Sequence, residues 1–332
     1  MKHLSKLLSG FFILSMLFFM PNNAEAQETD KNEEITHGLE YWIGIPHCRK
    51  SAGEPIRFGE FPIMLWLSSK VETQATVTIK AIGYQQNHNI KPHQTTIVKI
   101  PDIIMNKESE VITENGIHVE AKDPITVAVY MAYKWSGECY RCIPVEWLGK
   151  KYVTTNLYLD ALEHYKPAQF VITATQNNTT VEYTPAANTV KVDAGQTNSV
   201  TLDKGECYLV EGRIEGMKYQ KQNWTTDLTG SFIKADKPIS VVSGHTKGAF
   251  PRYQRGMPTY YQFRWAVFVK NMLIEMLWPI ELLGKEYISA PIMYHDRERG
   301  LSGDDDYGDL IRVIAAYDDT KVYSMRQDGS GF

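Results

Sequence analysis

The chain carries one set of landmarks twice in the same order and then begins it a third time. Gly38-Leu39-Glu40-Tyr41, Gly149-Lys150-Lys151-Tyr152 and Gly284-Lys285-Glu286-Tyr287 share a Gly-x-x-Tyr form. Each is followed by a short β-forming run, at Ala75-Thr76-Val77, Thr179-Thr180-Val181 and Thr320-Lys321-Val322. A Pro-Ile step then recurs at Asp123-Pro124-Ile125 and Lys237-Pro238-Ile239, and the copies close on Pro144-Val145-Glu146 and Pro279-Ile280-Glu281. Ordered self-similarity means that each copy is one structural unit. Units of this length can each enclose a sandwich core, unlike a ~30-residue solenoid repeat that needs its neighbours. The expected division is therefore a unit over 38–148, a second over 149–283, and a partial third over 284–332. So short a third piece cannot bury enough surface alone, so it is expected to pack on the second unit.

Within the units the pattern is strand after short strand. Residues 75–82, 95–100, 125–130, 170–175, 199–202 and 239–243 are rich in β-branched residues, and Asp123-Pro124, Asn177-Asn178, Ala194-Gly195 and Lys204-Gly205 read as turns between strands. Residues 310–315 and 321–325 read as strands of the partial third unit. The main helical candidate is 265–277, rich in Met and Leu and ending before Pro279. The fold class is all-β: tandem β-sandwich-like repeats with a short helical insert.

Residues 1–26 read as a signal peptide. Lys2, His3 and Lys6 form a basic start, 7–20 is apolar, and Ala24-Glu25-Ala26 offers small residues to the peptidase, so cleavage is expected before Gln27, leaving 27–37 as an N-terminal linker. The apolar run is short for a ~20-residue span. The mature chain is expected to be secreted or held at the cell surface, with no membrane span. With 35 Lys+Arg against 39 Asp+Glu and no long charge block, bulk electrostatics points to neither nucleic acid nor an anionic membrane.

Export also sets how Cys48, Cys139, Cys142 and Cys207 are read. In an oxidising compartment four cysteines favour disulfides, and Cys139–Cys142 with Cys48–Cys207 stands beside two crossed alternatives. Zinc would need a second closely spaced pair, and no cofactor or metal is implied.

Catalytic signatures are weak. Ser243-Gly244-His245 places a hydroxyl and an imidazole close in sequence but lacks a nucleophile elbow. The acidic run Asp304-Asp305-Asp306 lacks the calcium loop that would give it a metal, and Asp160, Glu163 and His164 fit a short surface segment. More informative are the segments between each Pro-Ile strand and its closing motif. The first holds Tyr133, Trp135 and Arg141; the second holds Arg252, Tyr253, Arg255, Tyr260 and Tyr261, with no acid from 247 to 270. Aromatic rings beside Arg combine contact area with planar donors and suit glycans or protein hot spots. These residues are the candidate ligand-binding set, whereas Trp265 and Phe268 are assigned to the core.

Residues 116–130, 143–152, 170–183, 227–230, 233–245 and 275–291 together resemble the N-terminal domain family of the IgG Fc-binding protein, a secreted glycoprotein with relatives among exported bacterial proteins. The resemblance lies in order and spacing. It implies an extracellular all-β module used for binding, with no catalytic residues to carry over. One departure is Thr246 after Ser243-Gly244-His245, where such proteins often place a cysteine. The leading expectation is an exported non-enzymatic module recognising an extracellular glycoprotein, glycan or surface protein. A self-assembling subunit of a surface layer or appendage is the alternative, and an exported hydrolase is third.

Overall fold

Val, Ile and Thr at every second position favour extended backbone, because a branched Cβ packs well on a pleated surface. The computed structural model describes residues 36–48, 63–133, 136–156, 167–213, 227–248, 271–288 and 312–323. The expected signal peptide and nearly all of the expected linker lie outside them. Among the described residues the only helical elements are three-residue 3-10 turns.

The first group of strands comprises β1 (Gly38–Ile43), β2 (Ile63–Ser68), β3 (Thr73–Ile79), β4 (Tyr84–Ile90), β5 (Thr96–Ile100), β6 (Ile112–Thr113), β7 (Ile117–Tyr133) and β8 (Ser136–Arg141). The long strand β7 belongs to two layers. Its first half pairs with β1 and β3, its second with β2 and β8, giving the antiparallel orders β4-β3-β7-β1 and β5-β2-β7-β8. Asp123-Pro124, expected to be a turn, lies inside this continuous strand. Proline is tolerated there because the strand changes partners at that step, where no ladder needs its missing N–H.

The second group repeats the arrangement. It comprises β9 (Lys151–Val153), β10 (Ala168–Ala174), β11 (Thr179–Thr184), β12 (Asn198–Leu202), β13 (Cys207–Glu211), β14 (Phe232–Ala235), β15 (Ile239–Gly248) and β16 (Asn271–Met276). The orders are β12-β11-β14-β9 and β13-β10-β15-β16, with β14 and β15 together taking the place of β7. Residues 271–276 were expected to be helical and instead form β16, antiparallel to β15. Met272, Ile274 and Met276 are buried while Glu275 is exposed, a period of two that a Met- and Leu-rich composition masks. The rest of the expected helix, 265–270, lies outside the described residues.

The recurring landmarks have one shared physical role. The Tyr41 hydroxyl donates to the Ile125 carbonyl, and Tyr152 Oη donates to the Ile239 carbonyl at 2.7 Å, so each tyrosine pins the Pro-Ile step of its own strand group. Both rings are fully buried. The paired glycine is needed for close approach: a Cβ on Gly38 would lie 2.2 Å from Pro144 Cβ, and one on Gly149 would lie 2.4 Å from Pro279 Cβ. Gly-x-x-Tyr, Pro-Ile and Pro-x-Glu are therefore three sides of one clasp closing each sandwich. The third copy is open, with Tyr287 73% exposed.

The two groups interlock. The segment after β5 leaves its own sheet, and β6 pairs with β13 at the edge of the second group. Glu110 is buried there, its carboxylate accepting from Tyr183 Oη at 2.6 Å, Thr189 Oγ1 at 2.9 Å and the Lys191 N–H at 2.6 Å. Val242, Met272, Ile274 and Met276 of the second group complete the core of the first. The strands expected at 310–315 and 321–325 are not seen: 312–315 and 321–323, their described parts, have no strand structure. Arg312 nevertheless donates to the Asn156 carbonyl at 3.0 Å and to Asp227 Oδ2 at 2.8 Å, tying this stretch to the second group.

Candidate functional site

Side chains on β2, β5, β7 and β8 alternate between the core and one outer face. Ile63, Leu65, Leu67, Val127 and Val129 point inward and are buried, whereas Met64, Trp66, Ile97, Lys99, Tyr130, Cys139 and Arg141 fall on the other side of the pleat. On that face Trp66 and Tyr130 stack with ring centroids 5.3 Å apart and planes 14° from parallel. Trp66 pairs with Ala128, and Tyr130 lies diagonally from it, the offset at which aromatic side chains meet across strands. Ile97, opposite Trp66, is 54% exposed. No group among the described residues accepts the Trp66 Nε1–H, although the atom is shielded from water. Lys99 and Arg141 lie exposed on the two flanking strands, so the face is apolar and aromatic at its centre and cationic at its margins.

Of the candidate ligand-binding residues, only Arg141 has a described side chain, and it belongs to this face. Arg252, Tyr253, Arg255, Tyr260, Tyr261 and Trp135 lie outside the described residues; Tyr133 ends β7, with its side chain outside them. Trp66 and Ile97 lie outside the aromatic-dense inserts and were missed by the sequence reading; the alternation of Ile63–Ser68 is the signal that places Trp66 outward.

The strand ends that flank the long second insert converge. Thr246 N–H donates to the Pro167 carbonyl at 3.2 Å, Gly212 N–H donates to the Ala168 carbonyl at 3.0 Å, and Asn156 Nδ2 donates to Ser243 Oγ at 3.0 Å. Segments 157–166, 214–226 and 249–270 therefore leave from and return to neighbouring positions at one end of the second group. The Ser243 hydroxyl is buried and donates to the Thr155 carbonyl at 3.1 Å, so it is engaged in holding that end together. His245, on the same side of the strand, is buried in the sheet.

The four cysteines of the expected disulfides are free thiols in the structure. Cys139 is exposed on the outer face of β8, while Cys142, three residues on, is buried on the inner side. Extended backbone thus turns the two sulfurs away from each other. Burial pushes the Cys48 and Cys142 thiols well above the usual range and Cys207 up to about 12. Thiols raised in this way are held in the neutral form at neutral pH. Burial, reinforced by Glu138 and Glu275, also raises Cys139. Among the described residues no three His, Cys, Asp or Glu side chains gather as a metal site.

A family model described as IgGFc binding protein matches residues 138–330, more than half of the chain. The match begins within β8 and runs through the second strand group. No curated protein and no solved structure matches.

Proposed function

The chain belongs to the IgGFc binding protein family, and on that premise we propose that it is an exported, non-enzymatic module binding an extracellular glycoprotein or glycan at the end of the second strand group. The family is one of extracellular binding proteins, and the matched residues include the whole second insert. The observation that carries the reading is the convergence of Asn156, Pro167, Gly212 and Thr246, which brings the flanks of three long segments together. Loops gathered on a rigid sheet end are the usual seat of recognition, because the sheet fixes their roots while their sequence is free to vary. The segment 249–270 contributes Arg252, Tyr253, Arg255, Tyr260 and Tyr261, and its cations suit sialylated or sulfated chains. The signal peptide at 1–26 supplies export, and the repeat boundaries at 38, 149 and 284 are read as the start of successive modules.

The test is a glycan and glycoprotein array probed with the chain from Gln27 onward, followed by titration of the best ligand. Arg252→Ala with Arg255→Ala should weaken binding by ~1 kcal/mol or more, with unchanged melting temperature and a shallower salt dependence than the parent. Equal affinity of the parent and the folded double variant would move the binding site elsewhere.

A further inference from the structure

The outer face of the β5-β2-β7-β8 sheet has a counterpart whose occupant is known. Ala128 and Val242 stand equally far beyond Pro124 and Pro238; Trp66 pairs with the first and Val171 with the second. By the same register Ile97 corresponds to Leu209, and Arg141 to Met276. In the second group these positions are covered: Val171 and Leu209 are fully buried, and Met276 is 1% exposed. What covers them is the preceding strand group. A Cβ on Gly44 would meet Val171 Cγ1 at 2.5 Å, Glu110 N–H donates to the Leu209 carbonyl at 2.6 Å, and Ile143 N–H reaches Met276 Sδ at 3.1 Å. The equivalent face of the first group is open at Ile97, Lys99 and Arg141, all of them exposed.

The described far end of the second group carries what this face lacks. Leu282, Leu283, Tyr287 and Ile288 are 42%, 43%, 73% and 95% exposed, two apolar pairs flanking Gly284-Lys285-Glu286 that make a strip at the open third clasp. Glu281 and Glu286 against the single Lys285 give the strip an acidic balance, whereas the strands of the open face carry Lys99 and Arg141 on its pleat, against Glu275 of β16 near Arg141. Two copies stacked face to face would oppose like charges; the strip of one copy on the face of another pairs them. We infer that this chain self-associates head to tail, residues 281–288 of one copy seating on the outer face of β5, β2, β7 and β8 of the next. Such a contact is heterologous, so each added copy presents a fresh face and the assembly grows past a dimer.

The experiment is sedimentation of the chain from Gln27 onward across a wide concentration range, with Cys139 alkylation as a second readout because its exposed thiol lies on the face. The parent should pass from monomer to species larger than a dimer, and Cys139 should become protected as it does. Ile97→Glu and Ile288→Glu change exposed side chains; each alone should weaken association roughly tenfold or more. Mixed together they should form a dimer that stops there, since each variant retains the end that the other has lost. A parent that remains monomeric with Cys139 freely alkylated, or one that stops at a dimer, overturns the proposal. So does a mixture of the two variants that stays monomeric. Arg252→Ala with Arg255→Ala should leave association unchanged, which separates this contact from ligand binding at the second insert.

Discussion

The two strand groups share their internal wiring and differ in what lies outside it. In both, a buried tyrosine holds the Pro-Ile step and a glycine lies against the closing Pro-x-Glu, so the clasp is a property of the repeat. The outer faces have diverged. Tyr130 of the first group corresponds to Gly244 of the second, where a Cβ would lie 1.9 Å from the Leu273 carbonyl oxygen. Lys99 corresponds to Glu211, whose carboxylate lies 3.2 Å from His47 Nδ1 and whose backbone N–H donates to Ser109 Oγ at 2.9 Å. One architecture thus serves as an internal joint in one copy and an open surface in the other, through side chains that leave the core pattern untouched.

The largest test of that contrast places the same charge at equivalent positions. Leu209→Glu puts a carboxylate into the joint between the groups and is expected to cost ~4 kcal/mol or more, enough to prevent stable folding. Ile97→Glu meets solvent and should stay within ~0.5 kcal/mol of the parent in urea unfolding at low protein concentration. Comparable losses at both positions would mean that the first face is internal as well.

Next comes the clasp. Gly149→Ala drives a methyl against Pro279 and is expected to cost ~2–3 kcal/mol, since a proline ring and the backbone holding it yield little. Gly284→Ala has no neighbour closer than 3.5 Å and should be nearly neutral. Thermal unfolding of the two single variants decides the matter, and equal shifts would show that the third clasp is closed in solution.

Much of this was legible in the chain, for physical reasons that also explain the misses. Gly-x-x-Tyr and Pro-Ile stand out because each makes a specific backbone contact that few residue types can replace. Asn178, Gly195 and Gly205 adopt positive φ, and their turn signals sit where the chain reverses. The helix expected across 271–276 is a strand because Met and Leu suit either conformation, and tertiary pairing with β15 decides such a run. The Asp123-Pro124 turn failed because proline marks a change of sheet partner as readily as a reversal. Cysteine count and compartment carry no information on which face of a strand each sulfur occupies, so the placing of Cys139 outside and Cys142 inside could not be read from them. Of the candidate site Arg141 lies on the described outer face, and Trp66 and Ile97, which share that face, come from strands far apart in the chain that meet only in the sheet.

The smallest predicted effect concerns two contacts between the groups that respond to acid in opposite senses. At the first, Trp42 stacks on His118 at 4.2 Å, and Glu40 accepts from Trp42 Nε1 at 3.0 Å beside His118 and Lys204. Burial lowers the His118 pKa against the pull of Glu40, while Glu40 is itself held below its ordinary value: burial alone would raise it, but Trp42, Lys204 and His118 together outweigh that. Both depressed groups bind protons more readily in the unfolded chain. Their stabilisation is present at neutral pH and is lost on acidification, from about 6.5 downward for His118 and below about 4.5 for Glu40. At the second contact, partial desolvation raises Glu138 and also Glu275, whose side chain still reaches solvent, with Glu138 adding like-charge repulsion at Glu275. These carboxylates penalise the fold at neutral pH, and the penalty is relieved as pH falls toward their raised values. Glu275→Gln should therefore raise the melting temperature at pH 7 by about 1–2 °C, a gain kept small by solvent screening, and the advantage should vanish by pH 4. His118→Gln should flatten the loss between pH 7 and 5. A gain for Glu275→Gln that persists unchanged to pH 4 would show that Glu275 is not under the strain that partial desolvation beside Glu138 implies.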